Sequence, residues 1–148
     1  MEITLTKTKG ALPVTVLHLD GKLDGANFEL LVKEAEKAYT AGARDLLLDL
    51  SALTYISSAG LAGLHRVALL FRGEQHPGQD EGWAAYRAIA RDRGKGFQEH
   101  VKLVSPDGKV RQVLDMTGFD VLFEIFTDLS QALASFQQPV TSKVASMS

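Results

Sequence analysis

The 148-residue chain contains no cysteine. That excludes a disulfide framework and any thiolate metal site. Its histidines, His18, His65, His76 and His100, are scattered, and none stands at metal-ligand spacing from another. There is no Gly-x-Ser-x-Gly elbow to expose a hydrolase nucleophile. No Walker lysine follows a glycine-rich loop, so the chain is not expected to hydrolyse a nucleotide itself. The net charge of −2 lacks the basic excess that a nucleic-acid partner requires. No apolar run approaches the length of a membrane span. Met1-Glu2-Ile3-Thr4 lacks the basic and apolar regions of a signal peptide, so a cytoplasmic location is expected. With no assembled acid–base or nucleophile set, neither an enzyme nor a bound cofactor is expected.

What remains is an ordinary soluble composition, 45% hydrophobic and 23% charged. The length suits one domain with a core that needs no staples. One stretch organises it. Leu46-Leu47-Leu48 has the continuous apolar character of a strand buried on both faces. The chain then turns through Ser57 and Ser58. Leu61, Leu64, Ala68 and Phe71 follow at offsets 0, 3, 7 and 10, one face of a helix. Two hydroxyls therefore stand where a strand hands over to a helix. The first amides of a helix lack intrahelical partners. A serine there serves as a cap, and the same amides also favour an anion. Physics leaves both roles open: helix cap, or phosphorylation site.

The rest of the chain reads as alternating strands and helices. Ile3–Thr8 alternates as a half-buried strand does, Lys9-Gly10-Ala11 is a turn, and Leu12–Leu19 is a second strand, so an antiparallel hairpin is expected. Asp20-Gly21-Lys22-Leu23-Asp24-Gly25 reads as a turn into a helix, which Asp24 is placed to cap. Phe28, Leu31, Val32, Ala35 and Tyr39 form a helical stripe that Gly42 ends. That helix is long enough to cross over to a parallel strand at Asp45–Leu50. Further strands are expected at Val101–Val104 and Val121–Phe126. Between them, Ser105-Pro106-Asp107-Gly108 starts a short helix that Gly118 stops. A closing helix carries Leu129, Ala132, Leu133 and Phe136, with Asp128 at its start.

Three motifs in this order resemble a known family. Asp49-Leu50-Ser51 followed by Tyr55-Ile56-Ser57-Ser58-Ala59-Gly60-Leu61 resembles the signature of the STAS domain found in bacterial anti-sigma-factor antagonists. Gly21, Leu23 and Asp24 resemble the Gly-x-Leu-Asp loop of the same family, and Met116-Thr117-Gly118-Phe119 its C-terminal signature. The resemblance implies an α/β fold, a STAS-type mixed sheet of four to five strands flanked by about four helices, to which this chain adds an insertion before the penultimate strand. It implies that Ser58 is the phosphoacceptor, with Ser57 the alternative. It also implies that Gly21, Leu23, Asp24, Ser57, Ser58, Gly60 and Leu61 bind a partner, an anti-sigma serine kinase that carries the ATP. Antagonists most often have aspartate just before the acceptor, where this chain has Ser57. The rival reading keeps the fold and makes the chain a scaffold in another signalling, stress or transport assembly, without sigma factor control.

One domain is expected over residues 1–138, with a flexible tail at 139–148. The insertion, about 73–99, is rich in glycine and holds the single tryptophan, Trp83, on a short helical segment from Trp83 to Arg91. It is either a lid on the domain's own surface or an exposed docking element.

Overall fold

The computed structural model describes residues 1–8, 12–73 and 98–137. The expected turn at Lys9-Gly10-Ala11, the Trp83 segment and the tail lie outside the described residues. Strand β1 (Glu2–Lys7) pairs antiparallel with β2 (Thr15–Leu23). Helix α1 (Phe28–Thr40) crosses over to β3 (Leu46–Ile56), and α2 (Ser58–Phe71) follows at once. Strand β4 (Val101–Val104) leads to α3 (Gly108–Met116), a 3-10 turn at Phe119–Val121, the short β5 (Ile125–Phe126) and α4 (Leu129–Phe136). The strands lie in chain order, β1-β2-β3-β4-β5, and every pair except β1–β2 is parallel.

The alternation of side chains along each strand sorts the core into two layers. Leu17, Leu19, Leu46, Leu48, Leu50, Val101 and Leu103 meet Leu31, Val32 and Ala35 of α1, Leu61, Leu64 and Phe71 of α2, and Val110 and Leu114 of α3. The alternate positions, Val14, Val16, Leu47 and Val104, meet Ala132 and Phe136 of α4. Burial on both faces explains the Leu46-Leu47-Leu48 run. Each fully buried leucine is worth about 1.5–3 kcal/mol over an exposed one, so this central strand anchors both layers. The three crossover helices share one face of the sheet.

Three boundaries differ from the sequence reading. β2 does not stop at Leu19, nor β3 at Leu50. Both continue as strand, with Asp20 opposite Ala52, Gly21 opposite Leu53, Lys22 opposite Tyr55 and Leu23 opposite Ile56. The register slips between His18 and Asp20 and again between Gly21 and Lys22. Such bulges let polar, glycine-bearing sequence remain in a ladder; Gly21 sits at φ +114, a conformation that L side chains rarely adopt. At the other end, Val121–Phe126 is not one strand. Phe119–Val121 winds as a 3-10 turn, and only Ile125 and Phe126 pair with β4. The aromatic rings of Phe119 and Phe123 stack at 6.1 Å, and both are buried. Burying both rings on one side suits a tight turn better than an alternating strand.

Candidate functional site

The strand-to-helix turn is built from the second halves of β2 and β3. Ser57 is the N-cap of α2: its φ is −98 and ψ 176, and its Oγ accepts from the Gly60 amide at 3.2 Å. The Ser57 amide in turn donates to the Leu23 carbonyl at 3.0 Å, and the Leu61 amide donates to the Ser57 carbonyl at 2.9 Å. Ser57 is therefore engaged through its amide, carbonyl and hydroxyl oxygen. Ser58, the first helical residue, is exposed. Among the described residues the amides of Ser58 and Ala59 have no hydrogen-bond acceptor. The first turn of α2 contains no acidic residue. The positive end of the helix is thus open to an anion at the one serine whose hydroxyl is not spent on capping.

The Gly21–Asp24 segment lies against this turn. A Cβ on Gly60 would stand 2.7 Å from the Leu23 carbonyl and 2.9 Å from Ile56 Cγ1, so only glycine permits the approach. Gly25 is also adjacent: a Cβ there would lie 3.7 Å from the Ala59 methyl. Leu23, Gly60 and Leu61 are buried and support the turn from beneath. Gly21 receives the Thr54 hydroxyl on its carbonyl at 3.1 Å, tying the two bulged strands together.

Asp24 does not cap α1 in the expected way. The residue before the helix is Asn27, whose side chain makes no cap bond. Asp24 closes the preceding turn instead. Its Oδ1 accepts from the Ala26 amide at 3.0 Å, and its carbonyl accepts from Asn27 and Phe28. Asn27 braces the loop from the other side, with Oδ1 accepting from the Asp24 amide and Nδ2 donating to the Lys22 carbonyl. This is a self-bonded polar loop of the kind Asx residues favour. It leaves Asp24 half-buried beside the serine turn.

Two site features went unread in the sequence. Asp49 sits at the first bulge, where its Oδ1 accepts from the Ser51 amide at 3.0 Å and its Oδ2 lies 2.7 Å from His18 Nδ1. Burial opposes ionisation of Asp49, but the hydrogen bonds from the Ser51 backbone, His18 and the Ser51 side chain outweigh it, holding the carboxyl below its usual value. His18 Nε2 lies 3.0 Å from Thr6 Oγ1, so one chain of polar contacts spans β1, β2 and β3. The Asp-x-Ser spacing was the available signal, an Asx turn at a bulge. The second feature is Tyr55, half exposed on β3 two residues before the cap.

His65 is buried in α2, whereas Ser58 is exposed. Among the described residues no cluster of three His, Cys, Asp or Glu side chains could hold a metal ion. No helix among them is long and apolar enough to cross a membrane.

Comparison with known proteins bears on the same turn. A family model described as "Mlab, STAS domain" matches residues 8–77, which include the Gly21–Asp24 loop and the serine turn. The chain is 30% identical over 137 residues to BtrV of Bordetella bronchiseptica, a protein named as a candidate anti-sigma factor antagonist, covering 93% of this chain and 96% of that one. A solved structure of a candidate anti-sigma factor antagonist from Thermotoga maritima superposes with a TM-score of 0.64 at 21% identity, over 90% of this chain and 94% of the other. An anti-sigma factor antagonist from Mycobacterium paratuberculosis gives 0.62 at 18% identity, over 92% and 95%. At those identities the two structures speak for the fold.

Proposed function

The chain belongs to the STAS-domain family, and on that footing we propose that it is a regulatory binding protein of the anti-sigma factor antagonist kind, switched by phosphorylation of Ser58. The partner is an anti-sigma serine kinase that holds ATP. The kinase transfers the γ-phosphoryl group to Ser58 Oγ, the hydroxyl proton leaves to a base on the kinase, and ADP departs. Unmodified, this chain occupies the kinase and a sigma factor is free; phosphorylated, it lets the kinase go. It does this in the cytoplasm, as a binding protein rather than an enzyme, and with no cofactor of its own.

The observation that carries the reading is the division of labour between the two serines. Ser57 supplies the cap, through its bond from Gly60. Ser58 is exposed beside two unbonded amides. A phosphate there adds about −1.5 to −2 charges without removing any bond that holds the turn, and the helix dipole tolerates it. On a partner's surface the same charge must be desolvated, which the dipole only partly offsets. The fold therefore survives the modification while the complex does not.

The test is to incubate the chain with its cognate kinase and ATP and to map the phosphate by mass spectrometry. Phosphate on Ser58, lost in Ser58→Ala, is the expected result. Phosphate on Ser57 alone would move the site by one residue. The second reading, a STAS scaffold outside sigma factor control, is favoured by Ser57 standing where antagonists usually carry aspartate. It would be adopted if neither serine accepts phosphate and partner binding ignores substitution of both.

A further inference from the structure

Strand β1 forms an open edge: among the described residues no strand pairs with its outer side. Its ladder with β2 fixes which backbone groups face outward. The Thr8 amide donates to the Val14 carbonyl at 2.9 Å, and this pair continues the register in which Lys7 faces Thr15 and Glu2 faces Asp20. Hydrogen-bonded and non-hydrogen-bonded pairs alternate along an antiparallel ladder. Glu2, Thr4 and Thr6 therefore direct their amides and carbonyls to β2, whereas Ile3, Leu5 and Lys7 direct theirs away from the sheet.

Such an edge is usually blunted by charged side chains, proline, a bulge or inward charge. β1 carries charge only at its two ends, Glu2 and Lys7, has no proline, and its register runs without a slip between them. At its centre Leu5 is 41% exposed. The opposite edge, β5, is only two residues long.

We propose that β1 is a self-association edge, on which two copies pair antiparallel about a two-fold axis beside Thr4. The occupant follows from the strand's own sequence. A strand added here must present outward-facing groups to Ile3, Leu5 and Lys7, so in a second copy odd positions must face odd ones. That condition is met about Ile3, Thr4 or Leu5, and only the axis at Thr4 sets the exposed Leu5 against the second copy's Ile3. Ile3 faces the second copy's Leu5, Thr4 faces the second copy's Thr4, and Glu2 faces the second copy's Thr6. Ile3 packs against the helix-covered core, and Leu5 faces Leu17 on the same side. Each exposed Leu5 thus leaves water against an isoleucine that already borders the core. Aliphatic and Thr–Thr pairs of this kind stabilise ladders, and a patch that complements itself is what a two-fold interface needs. One strand, β2, lies between this edge and β3, the strand that leads into the Ser58 turn.

The absence of cysteine gives a clean test in the full chain. Thr4 and its counterpart form a non-hydrogen-bonded pair, with Cα atoms about 4.5 Å apart, within the roughly 4.4–6.8 Å that a disulfide spans. In a glutathione buffer Thr4→Cys should cross-link into a dimer, whereas Thr40→Cys, exposed on α1, should not. Sedimentation equilibrium should show a reversible dimer of the unmodified chain. Leu5→Lys should weaken it by roughly tenfold or more, because an unpaired ammonium is buried, with its circular dichroism unchanged. A chain that stays monomeric up to millimolar concentration overturns the proposal. So does a dimer that cross-links through Leu5→Cys in preference to Thr4→Cys, which would place the axis elsewhere.

Discussion

The Ser57 amide donates to the Leu23 carbonyl at 3.0 Å. One hydrogen bond thus joins the end of β2 to the cap of α2, and the Gly21–Asp24 motif meets the serine motif in it. The same carbonyl lies 2.7 Å from where a Cβ on Gly60 would stand. Backbone, not a flexible side chain, sets the limit of approach.

Gly60→Ala should therefore destabilise the fold. Alanine gains about 1 kcal/mol of helix propensity over glycine, but overpacking typically costs about 1–3 kcal/mol, and a carbonyl already bonded to Ser57 has little room to yield. A net loss of about 1–2 kcal/mol is expected in urea denaturation. Gly108→Ala is the contrast. Nothing lies within 4 Å of its would-be Cβ, so a gain of about 0.4–1 kcal/mol is expected.

The two serines should separate in stability measurements. Ser57→Ala removes the cap and should cost about 0.5–2 kcal/mol. Ser58→Ala touches an exposed hydroxyl that bonds nothing and should stay within about 0.5 kcal/mol of the parent. Equal losses in thermal or urea unfolding would show that Ser58 shares the capping role.

Ser58→Asp should remain folded, because a carboxylate in the first helical turn gains about 0.3–1 kcal/mol from the dipole. Its affinity for the kinase should fall, and that of Ser58→Ala should persist through incubation with ATP. Isothermal titration of both variants reads the difference directly. Unchanged affinity in Ser58→Asp would mean that the partner does not cover this turn.

Asp49 should make stability depend on pH at the acid end. Its carboxyl is held below the usual value in the fold. A lowered native value stabilises the protein above the ordinary carboxylate range, near about 4, and the contribution disappears as pH falls through the native value. Asp49→Ala should lose about 1.5–3 kcal/mol at neutral pH, the worth of hydrogen bonds to a charged group. Its stability should also fall less steeply below pH of about 4 than the parent's. Urea midpoints measured across the acid range give both quantities.

Local signals in the sequence carried most of this architecture. The stripes of α1, α2 and α4 were visible at helical spacing. Asp107 and Asp128 do cap α3 and α4, through bonds from the Val110 and Ser130 amides. Gly118 stops α3 at φ +81. What escaped was set by distant partners. Asp20–Leu23 looks like a turn because it is polar and carries glycine, and it becomes strand only by pairing with Ser51–Ile56 across two slips of register. Neither segment's composition holds that information. The His18–Asp49 contact spans 31 residues and depends on the same slip. The serine turn itself was legible because its motif is local. The assignment of Ser57 to capping needed the Gly60 bond to be seen.

The bond between Ser57 and Leu23, with glycine packed beneath it, gives the turn its final shape before any signal arrives. A hydroxyl mounted on such a support waits for no segment to order or melt. If Ser58 is the switch proposed above, the response time is set by encounter, transfer and removal of phosphate, with no ordering of this turn to wait for.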